Sequence, residues 1–186
     1  SGFCCDTGGG WGNEMVAHPS QLHEVPTGMS DEAAVMVEPT ACAVHAALRI
    51  PIAEGATVVV IGAGTLGLLT IAALRAFTPA GAIIVAARYP HQIRHARELG
   101  ASIVCESSEL ARVVRRQTSS MAYADQLTGG ADVVLDCVGD SASISSALAI
   151  VRPRGTVVVV GMPAGVKLEL TTLWHRETSL VGAYAY

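Results

Sequence analysis

Aromatic residues are scarce in this chain, with two Phe, two Trp and four Tyr among 186 residues. Charged residues are also few, at 15%, and the formal net charge is −4. No cluster of Lys and Arg alternates with aromatics, so the basic, stacking surface that a nucleic acid requires is missing and no nucleic-acid partner is expected. An unbroken apolar run long enough to cross a bilayer is missing too. The longest apolar stretch, around Val58 to Leu74, carries glycines and polar breaks and reads as strand, turn and helix. No membrane partner is expected, and no signal-peptide pattern opens the sequence. The five cysteines, Cys4, Cys5, Cys42, Cys105 and Cys137, are odd in number and scattered, which argues against a disulfide framework. A reducing cytoplasm is the expected location.

Apolar residues make up 51% of the chain, and there are 19 glycines. That balance suits buried parallel strands covered by Ala-rich helices. Residues 1–27 are rich in Gly, Pro and polar residues without a sustained period, and read as loops and short strands. Ser30-Asp31-Glu32 is placed to cap a short helix over Ala33–Met36, and Pro39 to restart a second one running to about Leu48. From Thr57 the pattern is regular. Strands are expected at Thr57–Ile61, Ile83–Ala87, Ser102–Val104, Asp132–Asp136 and Thr156–Val160, with a last one at Ser179–Gly182. Helices are expected between them at Thr65–Phe77, His91–Leu99 (stopped by Gly100), Glu109–Arg116 and Ala142–Val151. Such alternation predicts an α/β fold, a doubly wound parallel sheet of the Rossmann kind with helices on both faces.

The turn Gly62-Ala63-Gly64-Thr65-Leu66-Gly67 follows the first of these strands and opens the next helix. A G-x-G-x-x-G pattern in that context is a dinucleotide fingerprint. Gly62 permits the tight turn, Gly64 lets a pyrophosphate approach the backbone, and Gly67 lets helix and strand pack closely. The amides of Thr65, Leu66 and Gly67 then face the anion at the helix start. Two other readings remain open: a glycine turn in a ligand-free domain, and an S-adenosylmethionine site on the same fold.

An acid about 20 residues further on would hold the adenosine ribose of NAD. Here the second strand ends Ala87-Arg88-Tyr89, so the carboxylate is replaced by a small residue and a guanidinium, which favours NADP over NAD. The alternative is that Arg88 stacks on adenine, indifferent to the 2′ position. His91 and His95 lie one turn apart but lack the companion acid of a metal motif, so a solvated face is the preferred reading. Asp136 ends a strand at the ligand edge, and a structural or capping role there is at least as well supported as a ligand role.

Further residues recur in a fixed order: Gly10-Trp11-Gly12-Asn13-Glu14, Val25-Pro26, Glu38-Pro39, His45, the glycine turn, Glu98-Leu99-Gly100-Ala101, Asp136-Cys137-Val138-Gly139, Gly155, Val160-Gly161-Met162, and Arg176-Glu177 before Gly182. With them the chain resembles the cofactor domain of medium-chain dehydrogenases, the zinc alcohol dehydrogenase superfamily. The resemblance implies that Ala87 and Arg88 lie at the adenosine, that Val138 and Gly139 pass close to the cofactor, and that Val160, Gly161 and Met162 lie at the nicotinamide. It implies a catalytic zinc in the intact protein, with the Cys and His-Glu ligands outside this chain and Glu38 as the one candidate metal residue within it. Glu38 reads equally well as a carboxylate at a helix N-terminus.

On this resemblance residues 1–38 are a remnant of a catalytic domain and connecting segment, residues 39–186 are the dinucleotide-binding domain, and both ends look truncated. The whole would be an oxidoreductase passing hydride between nicotinamide and a small-molecule alcohol or carbonyl. This piece would hold no zinc and no complete catalytic set. A homo-oligomer paired through the apolar end Leu180–Tyr186 is one expectation, and a strand merely exposed by truncation is the equal alternative. The alternatives are a zinc-independent quinone or enoyl reductase of the same superfamily and a non-catalytic NAD(P)-sensing module.

Overall fold

The computed structural model describes residues 10, 12–123, 126–163 and 165–185. Cys4, Cys5 and Trp11 lie outside the described residues. The chain divides into two compact units, Ser1–Met36 and Val37–Tyr186. In the first, the regular elements among the described residues are a 3-10 turn at Pro19–Gln21 and helix α1 (Asp31–Ala34). Ser30 Oγ accepts from the Ala33 amide at 3.3 Å, so the expected cap forms. The short strands expected within residues 1–27 are not found among the described ones, since a strand needs a paired neighbour and this segment makes no ladder.

The second unit opens with α2 (Val37–Leu48). Pro39 stands inside its first turn rather than restarting the helix, a position where the missing N–H costs nothing. There follow β1 (Val58–Ile61), α3 (Thr65–Phe77), β2 (Ile83–Ala86), α4 (Pro90–Glu98), β3 (Ile103–Cys105) and α5 (Leu110–Gln117). The remaining elements are β4 (Ala122–Tyr123), β5 (Gln126–Leu127), β6 (Ala131–Asp136), α6 (Ser141–Ile150), β7 (Val151–Val159), α7 (Thr171–His175) and β8 (Ser179–Gly182). The six-stranded sheet runs β3-β2-β1-β6-β7-β8 and is parallel throughout, while β4 and β5 form a separate antiparallel pair. That order, stepping outward from β1 in both directions, is the doubly wound Rossmann topology.

The β-branched run of β1 explains its central place. Val58 and Val60 pack into one core with Ile71 and Leu74 of α3, and Val59 and Ile61 pack into another with Ile144 and Leu148 of α6. A strand buried on both faces has no use for polar alternation, hence its continuous apolar sequence. β7 begins at Val151, five residues before the expected Thr156, and α6 correspondingly stops at Ile150. The β4–β5 pair and α7 carry no strong apolar period and are not anticipated from sequence. β1 neighbours both β2 and β6, whose chains leave in opposite directions, so a crevice opens beyond the carboxyl ends of β1 and β6.

Candidate functional site

Three backbone turns meet at that crevice. The first, after β1, holds Gly62 at φ +91°, a left-handed conformation that a side chain rarely adopts. A Cβ on Gly67 would collide with the Gly62 carbonyl, and a Cβ on Gly62 would come 2.6 Å from Val138 Cγ2. Gly64 is different: among the described residues a Cβ there would meet nothing within 4 Å. Two of the three glycines are therefore fixed by packing, and Gly64 borders empty space in front of α3. As the residue before that helix it offers no side chain to cap the first amides. The contrast with α6 is informative, because there Asp140 accepts from the Ser143 amide at 2.7 Å. An uncapped helix start bordered by open space leaves its first amide donors free to meet an anion.

The second turn, Cys137–Gly139, and the third, Val160–Met162, are organised by Asp136. Its fully buried carboxylate accepts from the amides of Val138 at 3.0 Å and Gly139 at 3.3 Å, and from Ser143 Oγ at 2.8 Å. Its backbone carbonyl accepts from the amides of Val160 and Gly161 at 2.8 and 2.9 Å. The structural role for Asp136 is the one observed: both of its polar ends are used to shape the cleft walls. A Cβ on Gly161 would lie 2.5 Å from the Val138 carbonyl carbon, so the two turns touch backbone to backbone. Val138 and Met162 project from them as exposed apolar side chains.

Beyond β2, a recess of about 420 Å³ is lined by Ala87, Arg88, Glu106, Ser107 and Ser108. That volume lies within the range of small-molecule sites. Ala87 is buried and its amide donates to the Cys105 carbonyl at 2.9 Å, which fixes the two strand ends together. The turn itself is held by Gln92, whose Oε1 accepts from the amides of Arg88 and Tyr89 at 3.2 and 3.3 Å. The Arg88 guanidinium lies 5.5 Å from the centre of the Tyr89 ring, and Tyr89 stacks on His91. Sequence reasoning missed Gln92, Glu106, Ser107 and Ser108. Gln92 had a signal, three residues after the helix-flanking Tyr89 as in a capping box. The other three had none, because only pairing of β2 with β3 brings them to Arg88.

Glu38 lies apart from these turns, exposed on α2, where its carboxylate accepts from the Cys42 thiol at 3.3 Å. Among the described residues no three His, Cys, Asp or Glu converge on a point that could hold a metal. Glu38 and Cys42, two donors one helical turn apart, fall short of the three protein ligands of a catalytic zinc site. His95 is engaged by Glu98 at 2.9 Å, and His91 by Tyr89. Among the described residues no helix is long and apolar enough to cross a membrane.

The family model described as zinc-binding dehydrogenase matches residues 65–186. Sorbitol dehydrogenase of Arabidopsis thaliana is 33% identical over 174 residues, covering 92% of this chain and 47% of that protein. L-idonate 5-dehydrogenase of Vitis vinifera is 31% identical, covering 97% of this chain and 49% of its own length. Among solved structures, L-idonate 5-dehydrogenase of Escherichia coli superposes with a TM-score of 0.76 at 28% identity, over 93% of this chain and 47% of that one. A chain from Sinorhizobium meliloti 1021, described as a zinc-binding dehydrogenase bound to NADP, gives 0.73 at 28% identity, over 88% and 47%. The chain thus spans about half the length of the curated relatives it matches. With the glycine turn, the strand order and these matches in agreement, the chain belongs to the zinc-binding dehydrogenase family, within whose fold it forms the Rossmann part.

Proposed function

We propose that this chain binds a nicotinamide dinucleotide, NADP in preference to NAD, as the cofactor domain of a polyol or alcohol dehydrogenase. The observation that carries the reading is the uncapped start of α3, where Gly64 borders open space while Gly62 and Gly67 are locked by contacts. In this reading the pyrophosphate rests on the amides of Thr65, Leu66 and Gly67. The adenosine ribose lies at Ala87 and Arg88, in the recess beyond β2. Val138, Gly139, Val160, Gly161 and Met162 line the path to the nicotinamide. Arg88 supplies a guanidinium suited to a 2′-phosphate in place of an acid suited to a ribose hydroxyl. The NADP bound by the Sinorhizobium relative supports the same preference.

The whole protein, in this reading, moves hydride between the nicotinamide and a small alcohol or its carbonyl, the chemistry that the names of its sorbitol and idonate relatives carry. Zinc, when bound, would polarise the substrate oxygen, and Glu38 is the residue of this chain assigned to its neighbourhood. Residues 1–38 then belong with the catalytic domain and residues 39–186 with the cofactor domain. By itself the piece is expected to bind but not to turn over. A cytoplasmic setting and a second copy paired along β8 complete the proposal. Glu38-Pro39 favours this reading over a zinc-independent reductase. Zinc content together with alcohol-dependent reduction of NADP by the full-length protein separates it from a sensing module, which would show neither.

Calorimetric titration of the chain with NADPH and NADH tests the binding. NADPH is expected to bind more tightly. Arg88→Ala is expected to weaken NADPH by roughly 1.5–3 kcal/mol, the range of a hydrogen bond to a charged group, and to leave NADH nearly unchanged. NADH bound as tightly as NADPH would reject the preference, and binding of neither would reject the dinucleotide reading.

A further inference from the structure

The recess beyond β2 has walls of opposite charge. Arg88 comes from the turn into α4, whereas Glu106, Ser107 and Ser108 come from the segment after β3. Parallel pairing of Ala86 with Cys105 sets the two segments side by side, and the bond from the Ala87 amide to the Cys105 carbonyl holds them there. Yet the two charges do not neutralise each other. The ion pairs among the described residues join Arg94 and His95 to Glu98, Arg112 to Glu109, Arg152 to Asp132 and Arg154 to Glu177, and include neither Arg88 nor Glu106. Glu106 is exposed, flanks the 3-10 turn Ser107–Glu109, and makes no capping hydrogen bond from its side chain. Its neighbour Glu109 is committed to Arg112. The recess therefore presents a cation, an unpaired carboxylate and two serine residues to whatever enters it.

We infer that Glu106 is a specificity-determining residue of this site, one that limits the selectivity for NADP over NAD set up by Arg88. The inference rests on the dinucleotide reading above. A phosphate monoester carries about −1.5 to −2 charges at neutral pH. Drawn towards Arg88, a 2′-phosphate enters a recess with Glu106 on its other wall, and repulsion from that carboxylate offsets part of the attraction. The 2′-hydroxyl of NAD is uncharged and meets no such penalty; a carboxylate accepts its hydrogen bond. One wall thus favours each cofactor, and the preference is the difference between them.

Glu106→Gln removes the charge at nearly constant shape and breaks no side-chain hydrogen bond among the described residues. Titration of the unmodified chain and this variant with NADPH and NADH reads the ratio of their dissociation constants. Selectivity for NADPH is expected to rise roughly two- to fivefold, the scale of a partly screened charge pair. The gain is expected to fade between about 0.05 and about 0.5 M NaCl as the Debye length shortens, which a purely structural role would not do. Glu106→Asp retains the charge and is expected to keep the original ratio, so charge and folding are separated. An unchanged ratio in Glu106→Gln, or an equal loss for both cofactors, overturns the inference while leaving the dinucleotide reading intact. If the unmodified chain binds neither cofactor, the reading itself fails and the inference with it.

Discussion

Burial pushes the Cys137 thiol up to about 12, with the Asp136 charge adding to the rise and a contact from Thr70 opposing it. Part of the residue is exposed, but its sulfur lies 3.9 Å from Thr70 Oγ1, under α3. The thiol stays protonated and silent towards disulfide reagents at neutral pH, although it sits in a turn of the candidate site. The consequence for stability follows from proton linkage. In the unfolded chain the thiol ionises near its ordinary value of 9.0, while in the folded chain it keeps its proton to about 12. The folded state binds the extra proton in that window, so stability is unaffected below it and falls as the pH rises through it. Burial raises Cys42 and Cys105 as well, adding to the same trend. Guanidinium midpoints at about pH 8 and about pH 10.5 should show the loss, and Cys137→Ala should reduce it; an unchanged alkaline slope in the variant would assign the loss to other groups. Single residues also mark where sequence reading stops. Gly62 and Gly67 were legible because a fixed spacing encodes a local turn, whereas the role of Asp136 was ambiguous because only the packed neighbours show which donors reach its carboxylate.

Among the elements, the pair β4–β5 and helix α7 depend on one side chain. Arg176 follows α7, is 6% exposed, and donates to the carbonyls of Leu127 at 2.5 Å, Gly129 at 3.0 Å and Val151 at 2.7 Å. Gln126 joins the cluster by donating to Thr172 Oγ1 at 2.7 Å. Among the described residues no carboxylate bonds to Arg176, and burial pulls its pKa down from the usual guanidinium range, yet an arginine that deep still carries its charge. It works as a backbone staple, satisfying carbonyls where β5 and β7 begin and end out of ladder. Arg176→Met should cost roughly 2–4 kcal/mol in urea unfolding, because several buried carbonyls lose a charged donor together. Amide exchange should quicken around Leu127–Gly130 before it does in β1; a loss spread evenly over the sheet would refute the staple. The long β-branched strands and their helices were legible as elements, since burial on both faces leaves a continuous apolar run. The short β4–β5 pair was not, because a side chain about fifty positions away holds it in place.

For the whole molecule, a ligand bound only by the native state must raise its melting temperature. The cleft is built from turns after β1, β2, β3, β6 and β7, so it exists only when the sheet is assembled. At about a hundredfold excess over its dissociation constant a ligand adds about 2.7 kcal/mol. At roughly 2–4 °C per kcal/mol for a chain of this size, NADPH should raise the melting temperature by roughly 5–11 °C. A scanning-fluorimetry series in NADPH checks this, and a flat series at saturating concentration would contradict a preformed site.

The sequence alone determined the layered α/β order, the glycine turn and the lack of an acid at Ala87-Arg88. These are features written in local spacing: the period of apolar residues, and three glycines at fixed offsets after a buried strand. Tertiary structure decided which distant residues share a wall. It showed Gly64 facing open space while Gly62 and Gly67 are packed, gave both polar ends of Asp136 to the cleft turns, and brought Glu106 beside Arg88. The physical reason is that charge pairing, burial and steric contact depend on distance in space, and the parallel crossover sheet joins segments that sequence spacing leaves far apart.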